Sequence, residues 1–343
     1  MKRIFIVFLL LIVFLFQYSC IFKPHSGTWE QIGLEDKTIY RLVLSDSQLY
    51  ACAGKDGLWM KNINKNNSEW QYLGMADSAL VDYPGRGVKD VVINPENRDE
   101  LLIAFDAVGH ETPEVYRSTD NGENWAAADS GLIYYNGGYK YSIRIEALCY
   151  ANDYILGGGS GIHKTYDFGL SWEPASPQEV GAFECVMVRH NTITDVVWLG
   201  GTNTISQAVL ESSIDGGSTW RTYENFGEGD LNWGYVSCIA IHPYDTNTVY
   251  VGMDNKIKKT TNGGNSWEIC SAGIYSDALI IDPENSSHLW TAAGVTVRES
   301  FDAGITWVEI ETPIESNIRE MILDENKRKL YFGTVSGIFC YNL

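Results

Sequence analysis

Several signatures are missing from this sequence, and each absence removes a class of reading. No window shows a 3.6-residue apolar period, which argues against helical bundles and helix-covered sheets. GxSxG, HExxH, P-loop and dinucleotide fingerprints are absent, so no nucleophile elbow, zinc protease or nucleotide cradle is read and no cofactor is expected. No CxxC pair occurs, and no histidines and carboxylates stand at metal-ligand spacing, so no metal is expected; His110 reads as a solvated loop residue. The longest apolar run, residues 4–16, falls short of the roughly 20 residues that a spanning helix needs. Positive charge is also scarce, with 25 Lys and Arg against 44 Asp and Glu and a net charge of −19. That balance argues against nucleic acid or an anionic lipid surface as partner.

What the chain does have is a repeat. The pattern (Ser/Thr)-x-Asp-x-Gly-x-x-Trp occurs at Ser118 to Trp125, Thr165 to Trp172, Ser213 to Trp220, Thr260 to Trp267 and Ser300 to Trp307. Shorter relatives of it end at Trp70 and Trp29, giving seven units. The hydroxyl and the carboxylate two residues later can accept hydrogen bonds from the backbone N–H groups of a tight turn, and Gly supplies a positive φ. The Trp then opens the next strand and buries a large apolar surface between sheets. A period of about 40–50 residues is the mark of a propeller or solenoid. Within each period the text is four short strands, as in residues 236–242, 248–252, 256–260 and 266–269.

The two ends of the chain complement each other. Residues 313–343 supply three strands and then stop without a Trp strand, while the segment around Trp29 is a Trp strand without a sheet. The fold expected is therefore all-β: a single seven-bladed β-propeller over residues 20–343, its ring closed by the N-terminal strand pairing into the C-terminal blade.

The turn resembles the Asp-box, or BNR, repeat of sialidases, and the chain as a whole resembles the wider BNR-like propeller group. That group includes sortilin-type receptors, oligoxyloglucan hydrolases and photosystem II assembly-factor propellers. The resemblance implies that the repeated turn is peripheral and structural, which assigns Asp120, Asp167, Asp215, Asn262 and Asp302 to the scaffold. Asn262 standing for Asp in the sixth unit fits a turn role. In sialidases three arginines from different blades hold the substrate carboxylate, with the first in a Phe/Tyr-Arg-Ile-Pro motif. Tyr40-Arg41-Leu42-Val43 and Arg144-Ile145-Glu146 come near that motif but lack its Pro. Oligoxyloglucan hydrolases place their carboxylate pair between two tandem propellers, and this chain has room for one.

Residues 1–19 read as a signal peptide, with Lys2 and Arg3 before the apolar run. Ser19-Cys20 resembles the end of a bacterial lipobox, so Cys20 is the expected lipidation site and the propeller is expected in the cell envelope, anchored on the extracytoplasmic side. Ordinary secretion is the alternative. Loss of Lys2 and Arg3 takes the charge from −19 to −21. Of the six later cysteines, Cys149 and Cys238 fall at alternating apolar positions of inner strands, which favours buried thiols over disulfides.

Propellers bind ligands near the axis, on the face built by the links between one blade's outer strand and the next blade's inner strand. Aligning the units places Tyr40-Arg41, Lys89-Asp90, Arg144 to Glu146, Glu184, Ser237, Asp277 and Arg319-Glu320 around that mouth. The candidate ligand-binding residues are therefore Arg41, Asp90, Arg144, Glu146, Glu184, Asp277, Arg319 and Glu320, forming either a mixed-charge site or a self-neutralising ring of ion pairs. Tyr135 and Trp233, in aromatic loops, are added as a stacking or protein-recognition surface. The function expected is non-catalytic binding of a protein or glycan by a monomer. A sialidase-like glycoside hydrolase using Arg41, Arg144 and Arg319 on an acidic sugar is the alternative, and no catalytic residue is assigned.

Overall fold

The computed structural model describes residues 27–343, except 66, 81, 84, 108–111, 137–138, 152, 176–181, 191–194, 204–205, 224–225, 227–233 and 254. At 79, 134–140 and 182–190 only the backbone is described. Cys20, His110 and Trp233 therefore lie outside the described residues, as do the side chains of Tyr135 and Glu184.

Seven antiparallel four-stranded sheets follow one another, each a simple meander. The first strand of each sheet, Arg41–Ser45, Gly87–Ile93, Ile145–Tyr150, Ala182–His190, Val236–His242, Ala278–Ile281 and Ile318–Asp324, faces its counterparts across a central axis. Numbering blades from Arg41, blade 7 consists of Ile318–Asp324, Lys329–Thr334 and Gly337–Asn342 and is completed by Thr28–Gly33. The closure expected from the two chain ends is the one observed: Thr28 pairs with Asn342 and Trp29 with Tyr341. A hairpin, Ile133–Asn136 with Tyr139–Ser142, is inserted between blades 2 and 3.

The core is laminated between neighbouring blades rather than gathered at one centre. Tyr50, Leu58 and Leu73 of blade 1 pack on Val88, Val91, Leu101, Ile103 and Phe105 of blade 2. Second strands are therefore apolar on both faces, and Leu101–Asp106 is buried at every residue. Such strands read as continuous apolar runs rather than as alternation.

The repeated turn shows why its residue types are fixed. In blade 2 the Ser118 hydroxyl donates to Asp120 (2.8 Å) and accepts the N–H of Gly122 (2.9 Å), while Asp120 accepts the N–H of Asn124 (2.8 Å). Blade 5 repeats this with an amide, whose Oδ1 accepts from the Thr260 hydroxyl (2.9 Å) and the Ser266 N–H (3.0 Å). The residue before the glycine is left-handed too, with φ of 56° at Asn121, 55° at Phe168 and 60° at Ala303. Phe and Ala are costly there, by roughly 1 kcal/mol each, so the hydrogen bonds of the turn outweigh an unfavourable backbone.

The Trp that follows the turn reaches into the preceding blade in blades 2, 3 and 4, whereas the Trp307 N–H donates to Gly304 O of its own turn (2.9 Å). The indole N–H of Trp125 donates to Leu73 O (2.8 Å), that of Trp172 to Ala128 O (2.8 Å), and that of Trp220 to Ala175 O (2.6 Å). Trp70 does the same to Ile32 O (2.8 Å) on the closing strand, and Trp29 of that strand to Glu311 O (2.9 Å) of blade 6. Trp267 departs from the pattern: its N–H finds no acceptor among the described residues, and the ring instead packs edge-on against Tyr223 and Phe226.

Cys52, Cys238 and Cys340 are buried thiols, with no disulfide among the described residues. Burial pushes the Cys238 thiol up to about 12 and that of Cys340 up to about 11, which makes both poor nucleophiles.

Asp215 accepts from Ser213 (2.7 Å) and from the N–H (2.8 Å) and hydroxyl (2.6 Å) of Thr219. Slight burial alone would raise its carboxyl, but the Thr219 hydrogen bonds prevail and hold it below the ordinary range. Because the folded-state value is depressed, its contribution is present above the unfolded-state pKa of about 4 and fades as pH falls through the folded value. Asp215→Asn, which copies blade 5, is expected to melt close to wild type at pH 7 and to show a weaker acid dependence. Asp215→Ala is expected to lose about 1 kcal/mol. Thermal melts from pH 2 to 7 check both outcomes.

Candidate functional site

Strand register separates two faces. Asp106, at the end of a second strand, lies opposite Gly87 at the start of the inner strand. Ser118, where the repeated turn begins, lies opposite Leu101 at the other end of the same sheet. The Trp-terminated turns therefore decorate one face. The links into the inner strands, and the loops between second and third strands, open on the opposite face, hereafter the mouth.

A central channel of about 1000 Å³ runs along the axis. Its walls include Tyr40, Arg41, Lys89, Asp90, Glu146, Ser237, Asp277, Arg319 and Glu320. Arg144 is different: it stands exposed, held by Asp106 (3.6 Å) and Glu146 (3.4 Å), and does not line the channel.

A shared backbone feature explains why these positions turn inward. The pairing of inner strand with second strand slips by a residue between Val88 and Asp90, between Ile145 and Ala147, between Val236 and Cys238, and between Ile318 and Glu320. The residues left out of register are Lys89, Glu146, Ser237 and Arg319. Blade 4 slips between Ala182 and Cys185, which puts Glu184 in the equivalent stretch. A bulge adds twist and re-aims a side chain; five of them at one height make the mouth.

Below the rim, charge is internally matched. Arg41 of blade 1 pairs with Glu320 of blade 7 (2.9 Å) and Asp90 of blade 2 (3.5 Å). Asp90 also accepts the N–H of Val91 and, from blade 3, that of Leu148, both at 2.8 Å. Glu320, Arg41 and Asp90 thus form a polar belt that stitches blades 7, 1, 2 and 3 together. Asp90 and Glu320 both titrate above the ordinary carboxylate range, because burial outweighs the opposing pull of Arg41. The two carboxylates in turn drive Arg41 upward.

Arg319 makes no ion pair among the described residues. It is exposed at the mouth, its guanidinium 6.0 Å from the Tyr40 ring, while the Lys89 ammonium lies 4.9 Å from the same ring. Arg41, Arg144 and Arg319 consequently have separate targets. The three arginines expected from the sialidase resemblance are directed at different partners: Arg41 and Arg144 are each held by carboxylates, and Arg319 lies beside Tyr40.

A second cluster of charged groups lies on this face. Asp106 lies 3.1 Å from Arg86 and 3.8 Å from Lys89 as well as beside Arg144. Glu114, at the start of the third strand of blade 2, accepts the Ala107 N–H (3.4 Å). Burial, reinforced by Asp106, pushes its carboxyl up to about 7 despite Arg144 and Arg86. The signal was the position of Asp106 and Glu114 at the two ends of one loop: strand alternation puts second-to-third-strand loops at the mouth along with the links. Among the described residues no group of three or more His, Cys, Asp and Glu could hold a metal ion.

Replacing Arg41 by Met leaves Asp90 and Glu320 buried without their cation, at an expected cost of about 3 kcal/mol near neutral pH. The folded-state pKa values of both acids then rise further, and a raised value stabilises only while the group is protonated. The deficit of Arg41→Met is thus expected to shrink as pH is lowered from 8 to 5. Urea melts at the two pH values measure this, and an equal deficit at both would show that the belt is not electrostatic.

No protein-family model matches the chain. A xyloglucanase from Hypocrea jecorina (strain QM6a) is 25% identical over 299 residues, covering 81% of this chain and 32% of that protein. Among solved structures, the GH74 xyloglucanase from Xanthomonas campestris aligns with a TM-score of 0.66 at 17% identity, over 92% of this chain and 53% of that one. YCF48 bound to a D1 peptide aligns with a TM-score of 0.64 at 15% identity, over 94% of this chain and 98% of that one. The chain thus spans 32% of the length of the curated relative and 53% of that of the solved xyloglucanase. What it shares with the solved structures is the seven-bladed propeller fold.

Proposed function

We propose that this chain is an exported propeller, lipid-anchored through Cys20 in the cell envelope, that binds a protein or glycan at its mouth as a monomer and does not transform it. The carrying observation is that Arg41, Asp90 and Glu320 are committed to one another in the interior, while Arg319 stands exposed at the mouth beside the Tyr40 ring as a recognition group. A cation beside an aromatic face suits a carboxylate-bearing peptide or an acidic sugar, each of which presents an anion next to an apolar surface. The likeness to a peptide-bound propeller and to glycan-acting ones supports the same two ligand classes. Tyr135 and Trp233, expected from the sequence to stack on a ligand or recognise a protein, are part of the proposal.

Peptide and glycan arrays probed with the purified domain test the reading. Arg319→Ala with Lys89→Ala is expected to weaken capture by about 2 kcal/mol, roughly thirtyfold, with an unchanged melting temperature. Tyr135→Ala with Trp233→Ala is expected to weaken capture as well. Capture unaffected by either pair would remove the proposal.

A second reading, glycoside hydrolysis, is favoured by the alignment to a xyloglucanase and by Glu114, an acid poised near neutrality beside Asp106. Under the binding proposal no reducing sugar is released from xyloglucan, and no fluorophore from a fluorogenic sialoside, at high protein concentration. Release that disappears in Glu114→Gln would replace binding by catalysis.

A further inference from the structure

The closing strand fixes where the chain enters the propeller. Thr28 lies opposite Asn342, Asn342 opposite Lys329, and Lys329 opposite Asp324. Asp324 and Lys329 flank a loop from an inner to a second strand, so the entry point is on the turn face, and Gly33 at the strand's other end is at the mouth. The entry is pinned: Gly27 N–H donates to the Tyr341 hydroxyl (2.9 Å), and the Asn342 amide donates to Thr28 O and Oγ1 (3.0 Å each).

Six residues separate Cys20 from Gly27, and the seven steps from one Cα to the next span at most about 25 Å. A lipid at Cys20 therefore holds the turn face, and not the mouth, within about 25 Å of the bilayer. That face carries Tyr166, Leu170, Ile214 and Ile305 on the turns of blades 3, 4 and 6, and Tyr244 on the loop after the inner strand of blade 5. All five are 57–80% exposed, and they occupy four consecutive blades. Aliphatic tips with tyrosines among them suit the headgroup boundary of a bilayer. The aspartates of the same turns select against an anionic surface.

We infer that the turn face is a membrane-docking surface, seated on zwitterionic lipid headgroups through these apolar tips, so that the mouth points away from the membrane. The inference rests on the tethering reading given above and goes beyond it in assigning orientation and contact residues.

The test uses the full-length, lipid-modified chain in phosphatidylcholine and phosphatidylethanolamine vesicles containing spin-labelled lipid. Fluorophores are placed through Ile214→Cys and Ile305→Cys on the turn face, and through Val335→Cys on a second-to-third-strand loop at the mouth. Strong quenching at 214 and 305 with little at 335 is expected. Equal quenching at all three sites, or stronger quenching at 335, in protein that floats with the vesicles would overturn the orientation while leaving the tether intact. Protein that fails to float would remove the tether and the inference together. In Leu170→Ser with Ile214→Ser and Ile305→Ser, a label at Tyr244→Cys is expected to drop to the level of the mouth site. An unchanged signal there would overturn the apolar contact.

Discussion

A ring of sheets has no end only if its last interface resembles the others, and the indole hydrogen bond between neighbouring blades shows how this is arranged. Trp125, Trp172 and Trp220 each reach back to a carbonyl at the outer strand of the blade before. The closing strand takes part twice: Trp29 reaches blade 6, and Ile32 receives Trp70 from blade 1. One short segment, Thr28–Gly33, is thus both donor and acceptor in the same pattern, so the seam repeats the interfaces that Trp125, Trp172 and Trp220 make. An indole buried between sheets supplies a large apolar area and satisfies a carbonyl that an outer strand would otherwise leave unpaired. The polar belt strengthens the same sector at the axis, because Glu320, Arg41 and Asp90 belong to blades 7, 1 and 2.

This arrangement separates what holds the ring from what faces outward. The repeated turns absorb their own hydrogen-bonding groups, including the aspartates that would otherwise look like chemistry. In the channel interior Glu320, Arg41 and Asp90 pair with one another in the belt. Arg319 stands exposed at the rim, where bulges in four inner strands bring Lys89, Glu146, Ser237 and Arg319 to the channel wall. Binding at a mouth needs rigid presentation of a few groups, and a laminated ring provides that. Hydrolysis needs a poised acid and an opposed base, for which Glu114 and Asp106 are the nearest approach.

Much of this was legible in the sequence because the turn demands particular residue types. Only a hydroxyl, a short carbonyl-bearing side chain and a glycine can make that hydrogen-bond pattern, and only Trp both fills the inter-blade space and reaches the carbonyl. Blade count and closure followed from the spacing. The bulges were not legible, since a one-residue slip in register needs no special residue; Lys89, Glu146, Ser237 and Arg319 share no chemistry. Phe168 and Ala303 gave no sign of their left-handed backbone, which the turn imposes on them. The partners of Arg41 were hidden because they come from blades 49 and 279 residues away in sequence. The hairpin did have a signal, Asn136-Gly137-Gly138 between two β-prone stretches.

The account rests on the N-terminal strand being an integral part of blade 7, since this fixes the seam, the two faces and the point of entry. Amide hydrogen exchange of residues 28–33 measures that directly. Protection comparable to that of the neighbouring strand Gly337–Asn342 is predicted, with both exchanging together in global unfolding. Fast exchange at 28–33 beside a protected Gly337–Asn342 would contradict the closed ring.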